Sequence, residues 1–294
     1  MRILLCSLLY CAVLASAAEP VCVRDSIDRV VCLAEPAQRI VTLAPHLAEN
    51  VFSAGAGDRL VGVTRYSDYP VEARALPRIG DFNAFSLERI AELAPDLVMV
   101  WGSGNGAGAL ANLEKLGFTV YVDELRKLED IPGSIRNIGR LAGTSAIAET
   151  VTSDFIGTIN ALRSPADIAR ISVFYQIWNK PLQTIGADHM ISEVITLCGG
   201  HNLFADNTLL APQVSLEAVL ARDPQLIVAS GMDGREPPWL ADWQRFPNLT
   251  AVRAGTVLFI HPDTLQRPTV RLAEGSREMC ALINEARERL ANQQ

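Results

Sequence analysis

Residues 86–104 read Ser-Leu-Glu-Arg-Ile-Ala-Glu-Leu-Ala-Pro-Asp-Leu-Val-Met-Val-Trp-Gly-Ser-Gly, and residues 215–231 read Ser-Leu-Glu-Ala-Val-Leu-Ala-Arg-Asp-Pro-Gln-Leu-Ile-Val-Ala-Ser-Gly. Leu87, Glu88, Ile90, Pro95 and Leu97 recur as Leu216, Glu217, Val219, Pro224 and Leu226, at a constant offset of 129. Each copy has the grammar of one unit. A serine N-cap opens a short helix with one apolar stripe, Leu87, Ile90 and Leu93 or Leu216, Val219 and Leu220. Proline stops the helix, and an unbroken apolar run, Leu97–Val100 or Leu226–Ala229, makes a buried strand that ends at glycine. One such unit is common in any α/β protein. Two with matching cap, acid and proline argue for two lobes of the same topology.

The flanking sequence extends that reading. Arg39–Leu43 and Leu60–Val63 are strands, with a helix from His46 to about Ala54 between them, and Phe118–Val122 closes the first lobe. Ile171–Ile177 starts the second lobe, Met190–Leu197 is a helix, Val257–Ile260 is the last strand, and a final helix carries Cys280. Strands alternating with helices of these lengths predict parallel sheets with helices on both faces. Ala142–Leu162 is the longest helical pattern, with Ile147, Val151, Phe155, Ile159 and Leu162 as its apolar stripe and Ser164-Pro165 as its stop. Residues 142–164 are therefore expected to be one stiff connecting helix between an α/β lobe at 38–141 and another at 165–294. A helix offers no soft hinge, so lobe closure should be small.

Composition sets the address. Arg2, an apolar stretch from Ile3 to Leu14, and Ala15-Ser16-Ala17 read as a secretory signal peptide over residues 1–17, cleaved after about Ala17. The 294-residue chain has a formal charge of −7, which cleavage takes to −8, and no basic stripe attracts nucleic acid. Four of the six cysteines remain after cleavage, an even number suited to an oxidising compartment. Val21–Leu33 alternates about a Ser26-Ile27-Asp28 turn, giving a hairpin within residues 18–37 that sets Cys22 opposite Cys32. That leaves Cys198 for Cys280. A zinc site is the rival reading of the thiols, but there is no CxxC and no nearby histidine pair.

In an open α/β sheet, ligands sit outside the carboxyl ends of the strands. Tyr66, Phe82 and Trp101 fall there in the first lobe, and Trp178 and the Asp263–Arg267 loop in the second, from a chain with 18 Phe, Tyr and Trp in all. Such a set predicts a cleft with aromatic walls, and Asn105 adds a neutral hydrogen-bonding group. The sequence has no GxGxxG after a strand, no phosphate loop, no GxSxG and no HExxH. His46, His189, His201 and His261 stand singly, so no catalytic residue is assigned; His46, which opens a helix at a strand's carboxyl end, is the one to watch.

At this point the chain resembles the periplasmic vitamin B12-binding proteins of ABC importers. The resemblance rests on Arg39–Val63 with Tyr66-Ser67-Asp68-Tyr69-Pro70, on Leu87-Glu88-Arg89-Ile90 with Pro95-Asp96-Leu97-Val98, and on Trp101-Gly102-Ser103-Gly104-Asn105. Cys198-Gly199-Gly200 with Asn202 and Phe204, and Pro212-Gln213-Val214-Ser215, fit it too. It implies two Rossmann-like α/β lobes joined by one long helix, with a disulfide in the second lobe that matches Cys198–Cys280. It implies ligand contacts at Tyr66, Trp101, Asp263, Thr264, Leu265, Gln266 and Arg267, although Phe82 stands where a tryptophan is familiar and Thr264-Leu265 replaces an aromatic pair. It also implies that Glu88 and Glu217 dock onto arginines of the two permease subunits. The function expected is periplasmic capture and delivery of cobalamin or a related corrinoid, by a monomer with no resident cofactor or metal site and no enzymatic activity. A haem or ferric-siderophore binder of the same fold is the alternative, and an exported hydrolase a more distant one.

Overall fold

The computed structural model describes residues 19–106, 108–231 and 234–293; the signal-peptide reading over residues 1–17 lies outside them. In the first lobe the order is β3 after a hairpin: β1 (Val21–Arg24) and β2 (Val30–Leu33) pair antiparallel with Cys22 opposite Cys32, and those cysteines are bonded. β3 (Ile40–Thr42), α1 (Pro45–Ser53) and β4 (Leu60–Val63) follow, then a two-residue hairpin of β5 (Gly80–Asp81) and β6 (Ala84–Phe85). α2 (Leu87–Glu92), β7 (Leu97–Trp101), α3 (Ala109–Lys115), β8 (Val120–Asp123) and α4 (Asp130–Leu141) complete it. After α5 (Ser145–Ala161), the second lobe contains β9 (Ile171–Gln176), α6 (Met190–Leu197), β10 (Gly200–Asn202), α7 (Leu216–Arg222) and β11 (Leu226–Ala229). It closes with α8 (Thr250–Ala254), β12 (Val257–Phe259), α9 (Pro262–Leu265) and α10 (Leu272–Ala291).

Both main sheets are parallel and four-stranded, ordered β4-β3-β7-β8 and β10-β9-β11-β12. Numbered within its lobe, each is 2-1-3-4. The repeated helix–proline–strand unit supplies the third strand in both, and both serine caps form: Ser86 Oγ accepts from the Arg89 N–H at 3.2 Å and Ser215 Oγ from the Ala218 N–H at 3.1 Å.

Residues alternate between the two faces of each sheet, as the pleat requires. Val41, Val98, Val100 and Val120 join Ile90 and Leu113 on one face of the first sheet, and Phe174, Ile227 and Ala229 join Val219 and Trp243 on one face of the second. The opposite faces share a single apolar cluster, in which Ile40, Met99 and Tyr121 of the first lobe, Val173, Tyr175 and Val228 of the second, and Phe155 and Ile159 of α5 all take part. The lobes are therefore welded by core as well as by chain.

The connecting segment differs from its sequence reading. Gly143 takes a left-handed φ of +69°, and the Thr144 N–H closes back onto the Gly139 carbonyl at 2.7 Å, which ends α4. The helix starts at Ser145, and α10, with 20 residues, is longer than its 17. Its buried face is Ala148, Thr152, Phe155 and Ile159, while Ile147 is 51% exposed. Steps of four residues drift about 40° per step around a helix, so a stripe begun at Ile147 starts outside the buried face and winds onto it at Phe155 and Ile159.

Candidate functional site

The carboxyl ends of β3 and β7 flank the point where strand order reverses in the first lobe, and that is where the first wall stands. Trp101, the last residue of β7, sets its ring edge to face with His46 at 5.2 Å and tilted against Phe82 at 5.8 Å. Gly104 is obligatory beside it, since a Cβ there would lie 1.9 Å from the indole. One buried amide holds the wall together: Asn105 Oδ1 accepts from the Trp101 N–H at 2.6 Å, and Nδ2 donates to the carbonyls of Leu43 and Phe82. Asn105, expected from sequence as a neutral hydrogen-bonding group of the cleft, thus spends one accepted and two donated bonds on the backbone of the loops around it. Tyr66 is 71% exposed on a left-handed residue with φ of +63°, and Phe82 is 40% exposed.

In the second lobe Trp178 is also exposed, its indole N–H donating to the Lys180 carbonyl at 3.0 Å. Residues 263–267 do not present themselves uniformly. Leu265 is buried in the core, and Thr264 is buried with its hydroxyl on the His261 carbonyl. Gln266 Nε2 donates to Ser230 Oγ at 2.8 Å. A helix of α9's pitch turns only some of five successive residues toward a cleft, which the sequence pattern did not resolve.

Arg267 bridges the lobes. Its guanidinium lies 2.6 Å from Glu49 of α1, 3.1 Å from Asp68 in the loop after β4, and 3.0 Å from Asp263 on its own loop. Arg271 lies 3.6 Å from the other Glu49 oxygen and 4.0 Å over the Tyr69 ring. Asn50 Nδ2 adds a bond to the Pro268 carbonyl at 3.1 Å. Glu49 is almost wholly buried, and burial raises its carboxyl above the usual range while Arg267 and Arg271 pull the other way. Burial, helped by the Arg267 charge, drives His46 down to about 3, so its imidazole is neutral at neutral pH. Glu49 and Arg271 were missed from sequence: an acid within a short helix carries no periodic signal of an inter-lobe partner.

Glu88 and Glu217 are exposed in the first turns of α2 and α7, each held below the usual carboxylate range first by backbone N–H bonds and then by its serine cap. The remaining histidines have local tasks or none: His189 and His261 cap α6 and α9 through Nδ1, and His201 is exposed. The Cys198–Cys280 bond forms between the end of α6 and α10. A separate groove of about 660 Å³ runs along α5 beside Phe155, Ile159 and Leu197 and includes none of the residues read as ligand contacts.

The periplasmic binding protein family matches residues 40–264. A vitamin B12-binding protein of Vibrio cholerae serotype O1 is 37% identical over 249 residues, covering 84% of this chain and 90% of the relative. One from Pectobacterium atrosepticum is 34% identical over 84% of this chain and 89% of its own length. The crystal structure of the periplasmic vitamin B12 binding protein BtuF of Vibrio cholerae superposes with a TM-score of 0.78 at 36% identity, covering 86% of this chain and 98% of that one. The periplasmic haem-binding protein RhuT from Roseiflexus shares the fold, with a TM-score of 0.73 at 20% identity. On the match across residues 40–264 and these shared lengths, the chain belongs to the periplasmic binding protein family.

Proposed function

We propose that the protein is a periplasmic carrier that captures cobalamin or a related corrinoid and delivers it to the permease of an ABC importer. The observation that carries this reading is the 37% identity to a vitamin B12-binding protein along most of both chains. The aromatic wall supports it. A corrin has two broad apolar faces and an amide rim, and Tyr66, Phe82, Trp101 and Trp178 offer flat apolar surface beside neutral polar groups such as Gln266. Asp263 and Arg267 of the second lobe would add polar contacts to it, with Thr264 buried beside them in the sequence. Cobalamin is cargo rather than cofactor, and the carrier acts as a monomer without chemistry of its own. Glu88 and Glu217 are the docking acids, one per lobe, at equivalent helix starts.

The same-fold alternative, haem, has His46 and Tyr66 in its favour as axial groups. Titration with cyanocobalamin, haemin and a ferric catecholate separates the readings through quenching of tryptophan fluorescence. Tight binding is expected with cyanocobalamin alone. Haemin binding without any response to cyanocobalamin would sink the corrinoid reading.

A further inference from the structure

The base of the inter-lobe space holds three carboxylates, Glu49, Asp68 and Asp263, against two guanidiniums, Arg267 and Arg271. His46 beside them adds no charge at neutral pH. Every arginine in the two loops that meet there already has a partner among the described residues. Arg65 pairs with Asp81 at 2.6 Å, Arg74 donates to the Asp68 carbonyl, and Arg78 donates to the carbonyls of Thr64 and Ser67. Arg267 and Arg271 are each less than a fifth exposed. An arginine that recognises a ligand carboxylate does so through a free bidentate fork. Here the Arg267 guanidinium is taken up by three of the protein's own carboxylates, Glu49, Asp68 and Asp263, while Arg271 lies 3.6 Å from Glu49 and over the Tyr69 ring.

We infer that Glu49 and Asp68 are specificity determinants: by occupying Arg267 they withhold its charge from a ligand carboxylate, so the cleft floor favours an amide-rimmed macrocycle over one bearing carboxylates. The inference rests on the corrinoid reading and says which atoms enforce it. Haem presents two propionates at its edge. Placing them on this floor requires either displacing a buried ion pair or setting a carboxylate against Glu49, and like charges at short range repel strongly where water is excluded. A corrinoid rim of amides asks for no cation. The shape of the cleft and its aromatic walls would suit either macrocycle; the occupied Arg267 guanidinium at the floor separates them.

The test measures affinity for haemin, haemin dimethyl ester and cyanocobalamin in the full mature chain and in two variants. One is Glu49→Gln with Asp68→Asn; the other is Asp68→Asn alone, whose side chain is 44% exposed and tolerates the change whether or not the double variant folds. Releasing Arg267 from two of its three carboxylates should raise the haemin-to-cyanocobalamin affinity ratio by about tenfold in the double variant. A smaller rise is expected in the single one. The dimethyl ester, which lacks the carboxylates, should gain nothing in either. An unchanged ratio in both variants overturns the inference, and so does an equal rise for the ester, which would report a widened cleft rather than a released charge. Wild-type protein that takes haemin and ignores cyanocobalamin is a different result: it overturns the proposed function itself.

Discussion

In the first lobe Asp96, just after Pro95, accepts from the Arg39 N–H at the start of β3 and returns its own N–H to the Arg39 carbonyl. In the second lobe Gln225, just after Pro224, makes the same reciprocal pair with Ser172 at the start of β9. The residues before the two prolines match as well, with φ of +42° at Ala94 and +43° at Asp223. The repeat is thus written in hydrogen bonds and dihedrals, not only in letters. At the carboxyl ends of the same strands the lobes part company. One carries an aromatic wall knitted by Asn105; the other carries a polar loop with Arg267 reaching across to Glu49. The contrast teaches where each half of the structure is constrained. The helix–proline–strand joints must close the fold in both lobes, whereas the cleft ends need only complement each other.

The largest expected effect tests how far that symmetry reaches outward. Glu88→Arg with Glu217→Arg should abolish corrinoid uptake in cells while leaving the affinity of the purified protein unchanged, because both acids stand on the outer helix starts. Normal uptake by the double variant would reduce them to helix-cap acids, a role worth about 0.3–1 kcal/mol each.

The disulfides sharpen the comparison next. The Cys198–Cys280 bond closes 82 residues and the Cys22–Cys32 bond only 10. In the chain-entropy model these contribute about 4.5 and about 2.7 kcal/mol. Denaturant unfolding of Cys198→Ser/Cys280→Ser should therefore show the greater loss, and equal losses would break the assignment of the longer loop as the stronger constraint.

Acid should strain both lobes through one histidine each. His46 is lowered to about 3 and His189 to about 4, in both cases by burial first. Each is neutral in the native state and protonated in the unfolded chain below about 6.5, so the unfolded state binds the extra proton and native stability falls with pH. The slope is about 1.4 kcal/mol per pH unit for each group. The loss runs from 6.5 to about 3 for His46 and stops near 4 for His189. Asp123 works against it: burial raises its carboxyl to about 7, so the native state binds that proton first and gains as pH falls through the same range. Comparing each variant with wild type isolates the imidazoles. His46→Gln should flatten the acid limb further than His189→Gln does; a pH-independent difference would mean the histidines act only by packing.

The smallest effect probes the twin left-handed joints. Asp223 accepts from the Thr250 N–H and hydroxyl, at 2.8 and 2.7 Å, and so caps α8, while Ala94 has no side chain to do anything similar. Asp223→Ala should cost about 1 kcal/mol. Ala94→Gly should gain a comparable amount, since alanine is strained at that φ and glycine is not. A loss on Ala94→Gly in thermal unfolding would show that alanine at that φ carries no strain for glycine to relieve.

Much of this was legible in the residues alone. The repeat at an offset of 129, the hairpin register that faces Cys22 with Cys32, the helix Met190–Leu197 and the strands Leu60–Val63 and Leu226–Ala229 follow from caps, prolines and apolar period, all of which act over a few residues. Those signals are local, so a single chain carries them without help. The break at Gly143 carries a local signal, a glycine followed by Thr144-Ser145, but the apolar stripe running past it masks that signal, and the Gly139–Thr144 closure shows where α4 ends. Nor did the sequence tell which of Asp263, Thr264, Leu265, Gln266 and Arg267 turn toward the cleft, or that Asn105 spends its amide on backbone. Least of all did it couple Glu49 to Arg267, 218 residues away. That pairing depends on how two lobes sit against one shared core, and a long-range electrostatic contact leaves no period, cap or spacing in the chain that makes it.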